Sequence, residues 1–525
     1  ANATKDNSLS WIWDNIVNYT WKKSVHSITA TGVFSAQKYQ YDRLYGASKD
    51  LSFNSLWYNL NGGAIESLSS NFSQWTMMSY VGRINYGLMD RYLLTASLRY
   101  DGSSRLSEGN KWALFPSAAI AWRITEEDFA KNLDWLSNLK LRFSYGQAGN
   151  TNSVSPYASE GTISGSVYYP FGTSTSVGNL PANIANPMLT WERTSEYNVG
   201  LDFGFLNQRI SGNIEYYNRT TNDLLMKRNI PVHLGYSSVT SNVGSVRNSG
   251  FELQLNTANI MTKNFAWNTT INLAYNKNEI VSLADEEDLS NYSIHLQGMR
   301  GRYSDKRFIG KPVDTNWTQN TIGVWQLGEE EEAAKYGCVP GNFKIKDYNN
   351  DGKLTDDDYI IDGKRTPDWT GGMTNMFKIY DFDFSFHMYF QAGATQYDRF
   401  FENFALEWNS QNFNNLRTNY WTPENPSNTM GRPSQMGSRG NIAYERTDFL
   451  KVSYITLGYT LNKRLMSKWG LDNARIYVTV QNPFILTKFR GLDPEQPDLT
   501  NIGDTDGMTM NALLVLIFHF KKTDL

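Results

Sequence analysis

The sequence carries a single cysteine, Cys338, and five histidines in 525 residues. One thiol excludes an internal disulfide framework and a cysteine-rich zinc site. His26, His233, His295, His387 and His519 are scattered and nowhere fall at metal-ligand spacing. Charge is scarce, with 19% Asp, Glu, Lys and Arg together and a net charge of -3, which argues against a basic nucleic-acid-binding face. Long apolar runs are missing as well. The longest, 512–518, is far short of the roughly 20 residues that a membrane helix requires. The start, Ala1-Asn2-Ala3-Thr4, has no charged segment followed by an apolar run, so it is not a secretory signal and reads as a mature, processed or truncated chain. Nucleophile-elbow, phosphate-loop and HExxH patterns are absent, so no catalytic residue is assigned and no enzyme is expected.

What the sequence has instead is aromatic residues, 14% of the total, and alternation. Between 74 and 101 one set reads Met78, Tyr80, Gly82, Ile84, Tyr86, Leu88, and the interleaved set Ser79, Val81, Arg83, Asn85. After Met89-Asp90 the pattern resumes with Tyr92, Leu94, Ala96, Leu98 and Tyr100 against Arg91, Thr95, Ser97 and Arg99. A period of two places successive side chains on opposite faces of a strand, and two such runs with a short link form an antiparallel hairpin. The span 92–100 covers roughly 26 Å at about 3.3 Å per residue. Tilted about 40°, it crosses roughly 20 Å, close to the apolar band of an outer-membrane barrel. Such strands alternate, so the mean hydropathy of -0.50 is no obstacle to a membrane protein.

About fifteen strands are expected, near 9–20, 24–41, 72–88, 91–101, 112–125, 138–149, 191–206, 209–226, 246–259, 264–281, 370–380, 382–393, 449–461, 474–488 and 510–520. Their connections alternate too. Short or moderate links lie near 21–23, 89–90, 126–137, 207–208, 260–263, 380–381 and 462–473. Between them fall long ones, above all 42–71, 150–190, 282–369 and 394–448. Barrels of the outer membrane have short periplasmic turns and long extracellular loops. The fold class is therefore all-β, a transmembrane antiparallel β-barrel, and the competing reading is a large secreted all-β protein. The alternation places the C-terminus in the periplasm and the start of the chain outside the cell. An odd strand count conflicts with the even number of single-chain bacterial barrels. The expectation is that 1–525 is the C-terminal portion of a larger barrel, completed by an upstream portion with an odd number of strands.

Several stretches carry a family resemblance: 139–150 (LKLRFSYGQAGN), 346–363 (KDYNNDGKLTDDDYIIDG), 366–372 (TPDWTGG), 475–489 (RIYVTVQNPFILTKF), 491–495 (GLDPE) and the aromatic terminal strand to Phe520. In this order they resemble the C-terminal barrel part of SusC/RagA-type TonB-dependent transporters of Bacteroidota. The resemblance implies a 22-stranded barrel, of which these are about fifteen strands, and an N-terminal plug and TonB box outside this numbering. It also implies TonB-driven import of an oligomeric nutrient, most readily a glycan oligosaccharide and otherwise a peptide. The partners would be a SusD-like surface lipoprotein as lid, TonB, the upstream portion of the same transporter, outer-membrane lipids and the cargo. A passive porin-like channel and a surface receptor or adhesin are the competing functions. The tail 521–525 departs from the aromatic terminus usual in that family.

The best-defined chemical motif runs from Asp347 to Asp358. Asp347, Asn349 and Asp351 stand at positions 1, 3 and 5 of an EF-hand-type loop, with Gly352 at 6, the Lys353 carbonyl at 7 and Asp358 at 12. Hard oxygen ligands on a flexible loop suit Ca2+, although Asp at position 12 reaches less far than the usual Glu. The alternative is an ion-free acidic turn, which Asn-Asp-Gly also favours. In the long loops, Trp317, Trp325, Trp369 and Trp408 are candidates for stacking on cargo, with Trp57, Tyr58, Tyr168, Tyr169 and Trp421 beside them. Large loops also need aromatic anchors to fold, so each ring has a packing alternative. Arg83, Arg91 and Arg99 would line a polar lumen or meet a plug.

Overall fold

A computed structural model describes residues 1–51, 53, 55, 59–230, 236, 238–406, 418–433, 438–462, 466, 471–497 and 511–520. Fifteen antiparallel strands form one sheet in which each strand pairs with the next in chain order. They are β1 (Asn2–Lys23), β2 (His26–Lys49), β3 (Ala64–Leu88), β4 (Tyr92–Ser103), β5 (Trp112–Arg123), β6 (Leu136–Asn150), β7 (Glu192–Phe205), β8 (Ile210–Asn222), β9 (Ser245–Met261), β10 (Phe265–Ser282), β11 (Trp369–Ile379), β12 (Phe382–Ala392), β13 (Phe449–Thr460), β14 (Leu471–Thr487) and β15 (Asn511–Phe520). The up-and-down order follows from hairpin links, since antiparallel neighbours need only a short turn.

The strands reach further than the alternation does. The connection expected at 42–71 shrinks to 50–63, because β2 and β3 stay paired, through one register shift after Ala47, up to Lys49 opposite Ala64. Beyond the apolar band neither face needs apolar residues, so the sequence signal stops while the backbone ladder continues. Likewise the expected 9–20 strand runs from Asn2 to Lys23.

The chain divides into two compact units. The first comprises Ala1–Glu127, Leu141–Val199 and Arg219–Ser245. Within it Tyr80 faces Tyr100, and Ile84 faces Ala96. The Trp112 ring stacks on Tyr100 at 4.8 Å and on Tyr80 at 6.1 Å, and such aromatic pairs contribute about 0.5–1.5 kcal/mol each. Ile84, Leu98 and Ile120 are nevertheless at least half exposed. On the opposite face Arg99 donates to Asp101 at 2.6 Å and to Ser79 at 2.8 Å. A sheet with an apolar exposed face and a polar, hydrogen-bonded one is built to face lipid on one side and water on the other. The dry core of this unit sits where loops fold over the strand ends, with Leu106, Phe115, Leu189 and Trp191 among its members.

The second unit comprises Asp128–Lys140, Gly200–Asn218 and Val246–Leu525. Here the alternation changes hands part-way along β13. The pairing slips between Val452 and Tyr454, and Asn482, in the left-handed region at φ 47°, bulges β14 ahead of Pro483. A bulge inserts one unpaired residue, and in β13 that residue, Ser453, reverses the facing of everything beyond it. On β13 Leu457 faces outward on one side of the slip and Leu450 on the other, whereas on β14 Val478 and Leu486 share one alternation.

Among the described residues β1 has a single hydrogen-bonded neighbour, β2, and every one of its residues is exposed. β15 is likewise paired, among the described residues, only with β14.

Candidate functional site in the long loops

In the second unit the described residues of 283–368 and 393–448 fold together. Asn316 donates to the carbonyls of Asp362 and Thr395 at 3.1 and 2.8 Å. Asn441 donates to Asp362 Oδ2 at 2.8 Å and accepts from the Thr321 N–H at 3.0 Å. Trp421 Nε1 donates to Gln326 Oε1 at 2.9 Å. Beneath these bonds Val324, Phe343, Ile345, Phe401, Trp421 and Met430 form a buried cluster. The long loops are therefore a folded layer with its own core, and that rigidity positions what they carry.

The acidic stretch lies on this layer. Asp347 accepts from the Asn350 N–H at 2.7 Å, the Gly352 N–H at 3.0 Å and the Tyr336 hydroxyl at 3.0 Å. Asp358, fully buried, accepts from the Tyr348 and Thr355 N–H groups at 2.8 and 2.9 Å. Asn349 and Asp351 are exposed and bond to one another and to the following N–H groups. Asn350 and Gly352 both hold positive φ, 57° and 79°, which curls the chain around the position-1 carboxylate. Glycine at the second of these is the residue that tolerates the conformation freely. Burial alone would raise the Asp347 carboxyl, but the N–H and hydroxyl donors outweigh it and hold it below the usual range. Its partner Tyr336 is pushed up to about 12, first by burial and then by this carboxylate.

Donor chemistry and order fit a hard cation. Asp347 and Asp358 close the loop at its two ends, and Asp347 Oδ1 and both Asp358 oxygens have a second lone pair beyond the bond each accepts. Among the described residues, however, no three His, Cys, Asp or Glu side chains converge as a ligand set. Asp351 and Asn349 point at their own loop.

Of the tryptophans expected at cargo, those among the described residues are used in packing. Trp317 stands between Phe308 at 5.1 Å and Tyr359 at 5.8 Å, beside the buried cluster of Leu289, Leu296, Tyr303 and Phe308. Trp325 is buried, stacks on Tyr336 at 5.9 Å and lies under the Lys344 ammonium at 4.2 Å. Trp369 opens β11 and packs on Tyr275 and Phe251 at 4.9 and 5.3 Å. Trp421 is in the loop core. Trp408, Trp57, Tyr58 and His233 lie outside the described residues. By contrast, Tyr168 and Tyr169 are exposed on a hairpin of Ile163–Phe171 with Ser174–Pro181.

Of the arginines, Arg91 joins Glu127 at 3.0 Å and Arg99 joins Asp101, whereas Arg83 is exposed. Asp398 was not legible as a special residue. It is fully buried, its Oδ1 caps a short helix through the Phe401 N–H at 2.9 Å, and its Oδ2 has no hydrogen-bond partner among the described residues. Aspartate ahead of a helical turn is the one signal that points to the cap.

The family profile described as TonB dependent receptor-like, beta-barrel matches residues 2–482. The chain belongs to that family. It is 35% identical over 432 residues to the TonB-dependent receptor SusC of Bacteroides thetaiotaomicron, covering 80% of this chain and 41% of that protein. A TonB-dependent receptor of Formosa agariphila is 32% identical over 509 residues, 94% of this chain and 50% of the relative. The chain thus spans about half the length, or less, of these curated relatives. Among solved structures, the RagAB peptide transporter superposes with a TM-score of 0.77 at 24% identity, over 94% of this chain and 54% of that one, a likeness of fold. The family is one of outer-membrane receptors and transporters, not of enzymes. The fifteen alternating strands are its barrel strands.

Proposed function

We propose that this chain is the C-terminal portion of a TonB-dependent importer of oligomeric nutrients, with glycan oligosaccharides as cargo. The observation that carries the reading is the match to the receptor family along 2–482 together with 35% identity to SusC. The exposed apolar face of the strands supports a place in the outer membrane, with long loops outside and the C-terminus in the periplasm. The one-sided pairing of β1 and β15 calls for further strands of the same transporter, because open ladder edges in lipid leave backbone groups unsatisfied.

A SusD-like lipoprotein lid is proposed to meet the long-loop end. Residues 161–191 carry no charged side chain, and the hairpin there leaves Tyr168 and Phe171 66% exposed. Aromatic, charge-poor surface is what the centre of a protein interface contains. Because Trp317, Trp325 and Trp369 are engaged in packing, their proposed part in cargo binding is limited to the ring edges they leave free, and Trp408 is the fourth candidate. A calcium ion is proposed for Asp347, Asn349, Asp351, the Lys353 carbonyl and Asp358. It would draw the two exposed side chains inward and clip the loop.

The test is uptake of labelled oligosaccharide by cells. Deleting TonB should abolish uptake and leave surface capture intact, and deleting the lid should reduce capture. Uptake unchanged without TonB would mean a passive pore. Uptake of peptides but not of oligosaccharides would replace the cargo class and leave the importer standing.

A further inference from the structure

At the long-loop end of β12, β13 and β14 the outward face opens into a trough of about 1020 Å³. Register fixes its floor: Phe390 is opposite Leu450, and Leu450 opposite Leu486, with Leu450 brought onto this face by the bulge in β13. Three strands span roughly 10 Å, wide enough for acyl chains side by side at ordinary van der Waals separations of about 4 Å. Leu486 is 60% exposed, so this is apolar surface with no protein cover among the described residues.

The rim is charged. Arg446, Asp448 and Lys488 line the same trough. Arg446 bonds to Asp448 through Nε at 3.1 Å and Nη2 at 2.6 Å, and Asp448 also accepts from the Gly393 N–H at 2.8 Å. The Arg446 side chain is still 62% exposed. Lys488 is exposed, and Arg490 beyond it is already paired with Glu445. One net positive charge therefore remains at the mouth of an apolar trough on the lipid side of the sheet. Cations set above buried apolar surface are the pattern that holds an anionic lipid headgroup.

We infer that this trough binds a phosphorylated, multiply acylated sugar lipid of the outer leaflet, its acyl chains on Phe390, Leu450 and Leu486 and a phosphate against Lys488 and Arg446. The choice of a sugar lipid over a glycerophospholipid rests on the sidedness proposed above, which puts the long loops outside. The trough itself does not depend on that reading.

The experiment is native mass spectrometry of the protein purified from its outer membrane in detergent, titrated with bisphosphorylated lipid A, dephosphorylated lipid A or phosphatidylglycerol. One bisphosphorylated molecule should be retained per chain. The double variant Lys488→Gln with Arg446→Gln should weaken that retention about tenfold, and dephosphorylated lipid A should bind the unaltered protein equally weakly. Leu486→Gln, which leaves the rim charges in place, should also lower retention. An unaltered protein and a double variant that retain the lipid equally would overturn the site. Phosphatidylglycerol held as tightly as lipid A would overturn the sugar-lipid assignment and, with it, the sidedness. Neither result bears on TonB-dependent uptake.

Discussion

The Tyr336 hydroxyl reaches Asp347 Oδ2 at 3.0 Å and joins the loop Trp325 packs into with the first residue of the acidic turn. That bond makes the turn part of a packed layer. Its two kinds of carboxylate should then respond differently to substitution. Asp358→Ala removes a buried acceptor of two N–H groups, and bonds to charged groups contribute about 1.5–3 kcal/mol each. It should loosen the loop with or without calcium. Asp351→Ala should loosen it only when calcium is present in the comparison. Limited proteolysis in calcium and in chelator separates the two, and equal protection in both buffers would sink the ion.

Trp317 tests the packing role of the loop aromatics. Trp317→Ala opens a cavity between Phe308 and Tyr359, and such truncations cost about 3–5 kcal/mol in a packed core. Hydrogen exchange should rise across the cluster of Leu289, Leu296, Tyr303 and Phe308 and stay unchanged in β1–β5. Lost cargo binding with unaltered exchange would instead make the ring a cargo contact.

Asp398 should make the loop layer pH-sensitive. Burial pushes its carboxyl up to about 6, with the Phe401 N–H pulling the other way and Glu445 adding to the rise. A folded-state value above the unfolded one, about 3.9, means that the folded state prefers the protonated acid. Local stability is therefore greatest below about pH 4 and declines as pH rises through 6. Asp398→Asn keeps an acceptor for the Phe401 N–H and should flatten that decline in a pH series of protease protection between 4 and 8. A variant with the same slope as the parent would reject the assignment.

Glu127 behaves in the opposite sense. It accepts from the Tyr92 hydroxyl at 2.6 Å, Trp122 Nε1 at 3.0 Å and Arg91 at 3.0 Å, tying two aromatic side chains to the turn after β5. The Tyr92 bond, then the Trp122 bond, hold the carboxyl below its ordinary range. A lowered value stabilises above the unfolded pKa, about 4.3, and the benefit is lost as pH falls through the folded one. Glu127→Gln should lower the melting temperature in detergent at pH 7, with the difference shrinking toward pH 3. A difference that persists at low pH would mean packing, not charge, links these groups.

Period-two alternation from Met78 to Tyr100, and the sorting of links into short and long, were enough to reach an all-β membrane barrel and the order of its strands. Strand character is local: it is written in neighbouring side chains that must face lipid and water in turn. The oxygen pattern from Asp347 to Asp358 was likewise legible, because its spacing is contained in twelve consecutive positions. The fate of Trp317, Trp325 and Trp421 was not. Whether an aromatic ring meets cargo or core depends on partners such as Gln326 for Trp421, or Asn441 for Thr321, that lie about a hundred residues away, and no local period encodes them. The slip at Val452 and Tyr454 was equally hidden. It turns Leu450 outward beside Leu486 and so onto the trough that Arg446 and Lys488 line, because facing beyond a bulge is decided by how two strands pair, not by either strand alone.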